Sequence, residues 1–430
     1  MMKKLSSWGN YPSIEGEIVT PIKENVAKLP AQNQIARGLG RSYGDSALAG
    51  KVVSTKLMNH FVDFDTQNGT LVCEAGISLD EILQVFVPKG WFLPVTPGTK
   101  FVTVAGAIAA DVHGKNHHFD GCFSEYVDWI KLVIGDNTIT CSRDENSDLF
   151  HATCGGMGLT GTIIEAQIRL KAIGSAYIDQ KTLKAKNLAT VLEMFEQYEH
   201  YTYSVAWIDC LSTGENLGRS LLMLGEHAEH GGLDTHKSAA LTMPFNMPAM
   251  LLNQFSVQAF NTLYYHRITR DEINERIHYQ PFFYPLDGIN NWNRMYGKKG
   301  FTQYQFVIPK AAGLAGLTEI LTAIADSKQG SFLSVLKVFG KGNDNLLSFP
   351  TEGYTLALDF KITDQLFALL DRLDEIVSRY HGRLYLVKDA RMSEHMFKQG
   401  YPRWEEFQQI REKYGAIEHY GSLQSNRIGL

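Results

Sequence analysis

Residues 37–45 read Arg37-Gly38-Leu39-Gly40-Arg41-Ser42-Tyr43-Gly44-Asp45, and they carry the strongest local signal in the chain. Three glycines let the backbone adopt left-handed conformations and approach a ligand closely, while two arginines add fixed positive charge. Such a loop suits a pyrophosphate. The spacing G-x-G-x-x-x-G is one residue longer than the dinucleotide fingerprint, and no G-K-[ST] follows, so neither a Rossmann turn nor a P-loop is indicated.

Two further segments are rich in small residues. Residues 155–161 contain a formal G-x-G-x-x-G, but residues 162–170 alternate with a period of two, which predicts a strand where the fingerprint requires a helix. A Rossmann fold is therefore excluded. Residues 96–110 are rich in threonine, glycine and alanine, which allows either close approach to a flat ligand or a tightly packed helix.

Length and composition limit the class of protein. A chain of 430 residues exceeds the size at which single cores stop growing, which predicts two domains. The formal net charge of -5 argues against a nucleic-acid binder. Five cysteines without a C-x-x-C pair indicate reduced, mostly buried thiols, which favours a cytoplasmic location.

Two segments bear on export and membranes. The first ten residues have the basic start of a signal peptide but no apolar run behind it, so export by that route is not expected. The most apolar stretch, Leu241 to Phe260, is interrupted by prolines and amides and is not expected to span a membrane. It is either core or loop, or a segment that lies on a membrane surface.

The pattern of elements changes near residue 176. Before it, strands at 52–55 and 70–75 and a helix at 78–86 are predicted, a β-β-α order. After it, the pattern predicts an antiparallel sheet with helices beside it, an α+β domain whose aromatic residues either pack in the core or line a pocket. Its strands are expected at 201–208, 301–308 and 354–360, its helices at 188–198, 314–325 and 364–380. A late strand is expected at 382–390 and a helical tail from residue 393.

Three histidines lie close together in the segment His113-Gly114-Lys115-Asn116-His117-His118. A metalloprotease pair would require a glutamate after the first histidine, where this chain has Gly114. No metal site is predicted. The segment is interpreted as a polar loop near redox chemistry or as a solvated loop.

Several segments together resemble the flavin oxidoreductases of the vanillyl-alcohol-oxidase superfamily, which have a PCMH-type FAD-binding domain. Within it they are most similar to the decaprenylphosphoryl-ribose oxidase family. The resemblance is carried, in this order, by residues 37–45, 97–99, 104–109, 113–118, 158–161, 292–294, 303–309 and 388–389. It implies a two-domain α+β fold, with an FAD-binding domain at 1–176 that is completed by a C-terminal return at 383–430. A substrate domain at 177–382, built on an antiparallel sheet, is inserted between them.

The resemblance also assigns residues to the site. FAD contacts are expected from Arg37, Gly38, Leu39, Gly40, Arg41, Ser42, Gly44, Pro97, Gly98, Thr99, Thr103, Ala105, Gly106, His113, Gly114, Asn116, Gly158, Gly161 and Ile163. Substrate contacts are expected from Lys115, Trp207, Phe283, Gln305, Lys337, Thr355, Ala357 and Tyr385. The catalytic candidates are Lys388, Tyr43 and His113.

The implied reaction is oxidation of the 2'-hydroxyl of a polyprenyl-phosphate-linked pentose to a keto sugar, with the hydride passing to flavin. A soluble sugar, alditol or aldonolactone oxidase on the same fold is the alternative, and a binding protein that kept the fold is a second. The resemblance further implies a quinone-type electron acceptor and a short-chain reductase as partner. A cytoplasmic protein with peripheral membrane contact is expected.

Lys388 fits this chemistry on physical grounds. A reduced flavin carries negative charge, and a lysine about 4 Å away at an effective dielectric constant near 20 stabilises it by roughly 4 kcal/mol. The apolar neighbours of Lys388 disfavour a freely exposed side chain. Lys388, Tyr43 and His113 can each accept the hydroxyl proton, and the sequence does not rank them.

The chain departs from its relatives at several positions. Sugar-lactone oxidases carry a histidine for covalent flavin attachment where this chain has Arg41, and their C-terminal His-Trp-Ala-Lys is missing. FAD is therefore expected to bind non-covalently. The decaprenylphosphoryl-ribose oxidases have asparagine, cysteine and tyrosine where this chain has Thr355, Ala357 and Phe283. These differences leave the flavin chemistry untouched and concern the substrate, so a related lipid-linked sugar or a free sugar is the alternative.

Overall fold

The structure is a computed structural model that describes residues 2–30, 32–237, 241–248 and 251–430. The strands in this part of the chain are β1 (Met2–Ser6), β2 (Ser13–Val19), β3 (Gln34–Arg37), β4 (Lys51–Ser54), β5 (Phe61–Asp65), β6 (Thr70–Glu74), β7 (Trp91–Phe92), β8 (Val127–Ile134), β9 (Asn137–Ser142), β10 (Thr162–Arg169), β11 (Lys171–Ala172), β12 (Tyr177–Ala185), β13 (Tyr203–Ile208), β14 (Ser220–His227), β15 (Leu241–Thr242), β16 (Glu272–His278), β17 (Ile289–Asn290), β18 (Phe301–Pro309), β19 (Ser334–Phe339), β20 (Gly353–Lys361) and β21 (Arg383–Leu384).

The helices are α1 (Leu79–Phe86), α2 (Val104–Ala109), α3 (His117–Asp120), α4 (Ser147–Thr153), α5 (Leu188–Gln197), α6 (Gln254–His266), α7 (Tyr279–Phe283), α8 (Gly313–Ser327), α9 (Leu366–Arg379), α10 (Glu394–Gly400), α11 (Trp404–Lys413) and α12 (Leu423–Ile428). The mixture of helices with several antiparallel sheets makes this an α+β fold, as the sequence predicts.

Two sheets in the N-terminal part position residues 37–45, which we call the glycine loop. The first has the order β1-β2-β4-β3, and β4 pairs in parallel with both β2 and β3. Because β3 ends at Arg37, the glycine loop leaves the sheet at the carboxyl end of that strand. The second sheet has the order β5-β6-β10-β8-β9 and is antiparallel throughout.

Two short helices begin at caps that the sequence contains. Ser78 and Glu81 form a capping box at the start of α1, whose buried face is apolar, so the helix predicted at 78–86 is confirmed. Thr103 caps α2 because its hydroxyl accepts from the backbone N–H of Gly106. Residues 104–109 of the segment rich in small residues are therefore a helix, and the residues before them are not.

The third sheet has eight strands in the order β16-β12-β14-β13-β19-β20-β18-β21. It confirms the aromatic strands predicted near 201–208, 301–308 and 354–360, which are β13, β18 and β20. Helices α5, α8 and α9 pack on this sheet and on one another. The sheet runs from residue 177 to residue 384, while the division into two domains at 176 and 383 stays a prediction.

The strand predicted at 382–390 is wrong beyond its first residues. β21 ends at Leu384, and the backbone N–H of Lys388 donates to the carbonyl of Tyr385 at 3.0 Å, which makes a turn. The apolar alternation of this segment reflects burial on several sides rather than a sheet ladder. Lys388 therefore projects from a turn.

The apolar stretch Leu241 to Phe260 is largely not core. Leu241, Phe245 and Phe255 are 63%, 62% and 79% exposed, and residues 249 and 250 of the stretch lie outside the described part of the chain. Among the described residues, no helix is both long and apolar enough to cross a membrane. All five cysteines are buried and free, as predicted.

Candidate active site

A cavity of about 370 Å³ lies between the glycine loop, helix α2 and one face of the eight-stranded sheet. It brings together segments that are hundreds of residues apart in the chain. The predicted site residues in its wall are Arg37, Gly38, Leu39, Gly40, Arg41, Ser42, Tyr43, Pro97, Gly98, Thr99, Thr103, Ala105, Gly106, His113, Gly114, Lys115, Gly158, Gly161, Ile163, Trp207, Phe283, Gln305, Lys337, Ala357, Tyr385 and Lys388.

The glycine loop offers donors to an anion. The backbone N–H groups of residues 38–42 donate no hydrogen bond to any described residue, although the loop is partly buried. The guanidinium of Arg41 lies 3.7 Å from the centre of the Trp8 ring and lines the same cavity. Free backbone donors beside a fixed cation are what a pyrophosphate requires.

The glycines also leave room for a flat group. A side chain at Gly98 would meet no atom within 4 Å, because the space beside it is the cavity. At Gly38, by contrast, a Cβ would come within 2.4 Å of Thr103 Oγ1, so glycine is needed for the loop to pack on α2. Gly158 has φ +79°, a left-handed backbone that favours glycine. These residues fit FAD.

Arg37 and Arg41 have different roles at the glycine loop. Its guanidinium donates to the carbonyl oxygens of Ser6 at 2.7 Å and Ala47 at 3.2 Å. The first bond ties the start of the glycine loop to β1, and the second ties it to Ala47, just past the end of the loop. Arg37 therefore braces the loop, whereas Arg41 makes no side-chain hydrogen bond or ion pair within the described part of the chain.

Lys388 lies beside Tyr43 and a buried carboxylate. Its Nζ is 3.8 Å from the centre of the Tyr43 ring, and the Tyr43 backbone N–H donates to the carbonyl of Val387 at 3.0 Å. Asp359, on β20, is buried and accepts from Gln303 Nε2 at 2.5 Å and from the Tyr296 hydroxyl at 3.3 Å. The glycine loop, the Lys388 turn and the sheet thus meet at one point.

Burial shifts the pKa values of this group in opposite directions. It lowers the pKa of Lys388, and the charge of Asp359 partly opposes that shift. It raises the pKa of Asp359, which Gln303 and Lys388 partly oppose. It raises the pKa of Tyr43 well above its usual value, with Asp359 adding to the shift. Burial therefore favours the neutral form of all three groups, and among them only the neutral amine of Lys388 is a good proton acceptor.

A second cluster surrounds His113, which follows α2. Its Nε2 lies 3.1 Å from Gln305 Nε2, and its Nδ1 lies 3.5 Å from Lys337 Nζ. Burial and the neighbouring Lys337 hold the pKa of His113 well below its usual value, so the ring is neutral. Burial lowers the pKa of Lys337 to about 8, and burial together with Lys337 lowers that of Lys115 to about 7.

Three predicted site residues lie outside the cavity wall. Gly44 packs on the Lys388 turn, since a Cβ there would lie 1.5 Å from the carbonyl oxygen of Asp389. The Asn116 side chain donates to the Pro94 carbonyl at 2.8 Å, which holds the Asn116 backbone against residue 94. Thr355 lies behind Gln305, from which its hydroxyl accepts at 3.2 Å. Each of the three therefore packs against neighbouring protein rather than facing the cavity.

The sequence interpretation missed several residues at the site. Asp287 accepts from the Thr99 hydroxyl at 2.8 Å and from the Lys100 N–H at 2.9 Å, and it lines the cavity with Trp8 and Gln303. Asp359 could have been found, because it is a lone acid in an apolar strand, the same signal that singles out Lys388. Trp8 carries no such signal.

The histidine segment does not form a metal centre. Within the described part of the chain, no group of three histidine, cysteine or acidic side chains is placed to hold a metal ion. His113 faces Gln305 and Lys337, while His118 Nε2 lies 2.9 Å from the Tyr201 carbonyl. His113, Gly114 and Lys115 line the cavity, whereas His117 and His118 begin helix α3.

Comparison with known proteins identifies the cofactor domain. The family model of the FAD binding domain matches residues 25–142. Over 451 aligned residues the chain is 35% identical to decaprenylphosphoryl-β-D-ribose oxidase of Mycolicibacterium smegmatis, and the alignment covers 100% of this chain and 98% of the relative. A D-lactate dehydrogenase of Anaerostipes hadrus is 28% identical over 40% of this chain and 38% of its own. Human Delta(24)-sterol reductase is 29% identical over 28% of this chain and 23% of its own.

The fold, the glycine loop and these matches together define the class of protein. It is an FAD-dependent oxidoreductase with a PCMH-type FAD-binding domain. The cavity that would hold FAD has three half-buried lysines, Lys115, Lys337 and Lys388, and an apolar sheet face in its wall. The chain belongs to the family of decaprenylphosphoryl-β-D-ribose oxidase.

We expect the FAD to be released when the loaded protein is precipitated with acid. Position 41 of the glycine loop is an arginine, whose guanidinium lies over the Trp8 ring, and not a histidine that could attach flavin covalently. The measurement is the flavin absorbance of supernatant and pellet. Flavin that stays with the pellet would contradict non-covalent binding.

Proposed function

We propose that the chain oxidises the 2'-hydroxyl of a pentose linked to a polyprenyl phosphate and yields the keto sugar. A relative that is aligned over the whole chain is named for a substrate of this kind. Two features of the cavity support the same substrate, its charge and its apolar wall.

The charge of the cavity favours an anion. Lys115, Lys337, Lys388 and Arg41 lie in its wall, whereas Asp287 is the single acidic residue among the described residues that line it. Lys115 and Lys337, whose pKa values are lowered, regain their proton when a negative group binds beside them. A sugar joined to a phosphate supplies that negative group, and a free sugar does not.

One face of the sheet supplies an apolar wall. Val205 pairs with Met223, and Trp207 pairs with Val335, so four side chains on adjacent strands line the cavity together. The Tyr264 ring packs on Trp207 with centres 4.7 Å apart. The combination of cationic groups and this wall in one cavity is the observation that carries the proposal, because a lipid-linked sugar phosphate needs both.

The reaction removes a hydride from the carbon and a proton from the hydroxyl. FAD, when bound, supplies the acceptor for the hydride. Lys388 Nζ takes the hydroxyl proton, so the carbon–oxygen bond becomes a carbonyl and Lys388 becomes an ammonium. That cation arises beside the Tyr43 ring and near Asp359, which both favour it. It then balances the negative charge that the hydride brings.

The geometry favours Lys388 over the other two candidates. Tyr43 keeps its proton, because its pKa is raised and its phenolate would face the charge of Asp359. His113 is neutral but a weak base, since its pKa lies well below the usual value. Its position beside Gln305 and Lys337 suits it to orient the sugar.

Anaerobic mixing of the FAD-loaded protein with candidate substrates tests the proposal. A short-chain polyprenyl-phosphoryl ribose is expected to bleach the flavin, while free ribose, alditols and aldonolactones are not. Bleaching by the free sugars alone would instead support a soluble sugar or aldonolactone oxidase. We also propose a quinone-type acceptor and a short-chain reductase that consumes the keto sugar; both follow from the family resemblance.

The pH profile of flavin reduction tests Lys388 as the base. Because the neutral amine is the active form, the rate at saturating substrate is expected to rise with pH through the lowered pKa of Lys388. Asp359 raises that pKa and Lys337 lowers it. Asp359→Asn should therefore move the rising limb to lower pH, and Lys337→Met should move it to higher pH. Stopped-flow absorbance measures both, and shifts in the same direction would contradict the assignment.

A further inference from the structure

Exposed apolar side chains are concentrated in one segment of the chain. Of the fifteen large apolar side chains that are exposed among the described residues, six lie within 23 consecutive positions. They are Leu241 (63% exposed), Phe245 (62%), Leu251 (51%), Phe255 (79%), Phe260 (42%) and Leu263 (74%). We call these six residues the docking surface. Exposed apolar side chains are usually scattered, so a cluster of this kind marks an interaction site.

Helix α6 forms the centre of the docking surface. Phe255, Ala259 and Leu263 follow one another at intervals of four residues, and all three are exposed. Val257 and Tyr265 on the opposite side are buried. A surface helix normally turns its apolar stripe inward and a charged stripe outward. This helix has apolar residues on both sides and no Asp, Glu, Lys or Arg.

The charged residues of the segment that carries the docking surface are all basic. Residues 241–270 contain no Asp or Glu. Arg267 lies 4.1 Å from the centre of the Tyr264 ring, and Arg294 donates to the carbonyls of Met243 and Pro244. Lys361 donates to the carbonyl of Leu252 at 3.4 Å. Cations that border an apolar face are complementary to a layer of anionic lipid headgroups.

The docking surface is continuous with the cavity. The Phe260 ring stacks on Tyr264 with centres 5.6 Å apart, and Tyr264 packs on Trp207 in the cavity wall. An apolar path thus leads from the outer face of α6 to the wall that faces the sugar. With 13 residues, α6 is about 20 Å long, which suits a helix that lies in the plane of an interface rather than one that crosses it.

We propose that the docking surface binds an anionic phospholipid bilayer, with α6 lying in the headgroup region and the cavity mouth facing the lipid. The tail of a polyprenyl-linked sugar then passes from the bilayer to the cavity without crossing water. This inference rests on the proposed function, because a lipid-linked substrate is what the enzyme would reach by binding a bilayer. Its physical basis is the exposed apolar cluster and its basic border.

Vesicle cosedimentation of the FAD-loaded full chain tests the proposal. Binding is expected to be stronger to vesicles of phosphatidylcholine with phosphatidylglycerol than to phosphatidylcholine alone, and to weaken with salt. The double variant Phe255→Ser/Leu263→Ser is expected to lower the partition coefficient by about tenfold or more. The matched control is Phe119→Ser/Leu314→Ser, which removes side chains that are 62% and 50% exposed outside the docking surface. This control should bind as the unchanged protein does.

Three results would overturn the proposal. The first is equal vesicle binding by the double variant and the unchanged protein. The second is an absence of vesicle binding. The third is a dimer that the double variant dissociates, since the surface would then be covered by a second copy of the chain.

A short-chain, water-soluble lipid-linked ribose separates this inference from the proposed function. The double variant should reduce its flavin with this substrate as fast as the unchanged protein, because neither Phe255 nor Leu263 lines the cavity. If the protein bound vesicles but no lipid-linked sugar reduced its flavin, the docking inference would stand and the proposed substrate would be wrong. If a lipid-linked sugar reduced the flavin but the protein bound no vesicles, the proposed function would stand and the docking inference would be wrong.

Discussion

Replacing Lys388 with methionine is expected to slow substrate-dependent flavin reduction by about 10²–10⁴-fold, the usual contribution of a positioned base. Methionine fills similar space but accepts no proton and carries no charge. The loss should appear in the rate at saturating substrate, because Lys388 acts on the reacting hydroxyl. Single-turnover stopped-flow measurements under anaerobic conditions give this rate directly.

Two variants serve as controls for Lys388→Met. Lys186 is exposed and lies outside the cavity, so Lys186→Met should leave the rate unchanged. Tyr43→Phe keeps the ring beside the Lys388 ammonium and should retain most of the activity, since Tyr43 is not the base. If Tyr43→Phe abolished flavin reduction while Lys388→Met did not, the roles of the two residues would be reversed.

Gly98→Val is expected to weaken FAD binding by about 10²-fold, which corresponds to the 1–3 kcal/mol that overpacking typically costs. No atom lies within 4 Å of a Cβ at this position, and its backbone is not in the left-handed region. The protein itself therefore accommodates the side chain. The added methyl groups project into the cavity, where they take space from the cofactor. Fluorescence titration of the apoprotein with FAD measures the effect.

Gly50→Val is the matched control for this substitution. A Cβ at Gly50 also meets no atom within 4 Å, but the residue is exposed and does not line the cavity. It should bind FAD as the unchanged protein does. Full FAD affinity in Gly98→Val would contradict the placement of the cofactor along residues 97–99. Equal loss in both variants would indicate general destabilisation, which a thermal melt would reveal.

Much of the local structure was predictable because its causes are local. Ser78 and Glu81 lie three residues apart and form the capping box that starts α1. Asn68-Gly69 marks the turn between β5 and β6. The alternation in residues 162–170 predicts β10 and excludes a Rossmann fold. In each case the deciding hydrogen bonds or face pattern lie within a few residues of sequence.

The site was predictable as a set of segments rather than as a set of contacts. The glycine loop, the 97–99 segment and the histidine loop all reach the cavity. Gly44 and Asn116 do not, although Tyr43 and Lys115 beside them do, and Thr355 only contacts Gln305 from behind. Whether a side chain faces a ligand or a neighbouring segment depends on the rotation of the backbone at that residue, which spacing alone does not specify.

The sequence by itself determined that the chain has a glycine loop suited to a pyrophosphate, an antiparallel α+β region and a lysine among apolar residues near its end. Only the tertiary structure decided that this lysine projects from a turn beside Tyr43 and near Asp359, and that the face of α6 is exposed rather than buried. The physical reason is the separation along the chain of the groups that interact. Backbone patterns follow from neighbours along the chain, whereas pKa values and exposure follow from groups that packing brings together from distant positions.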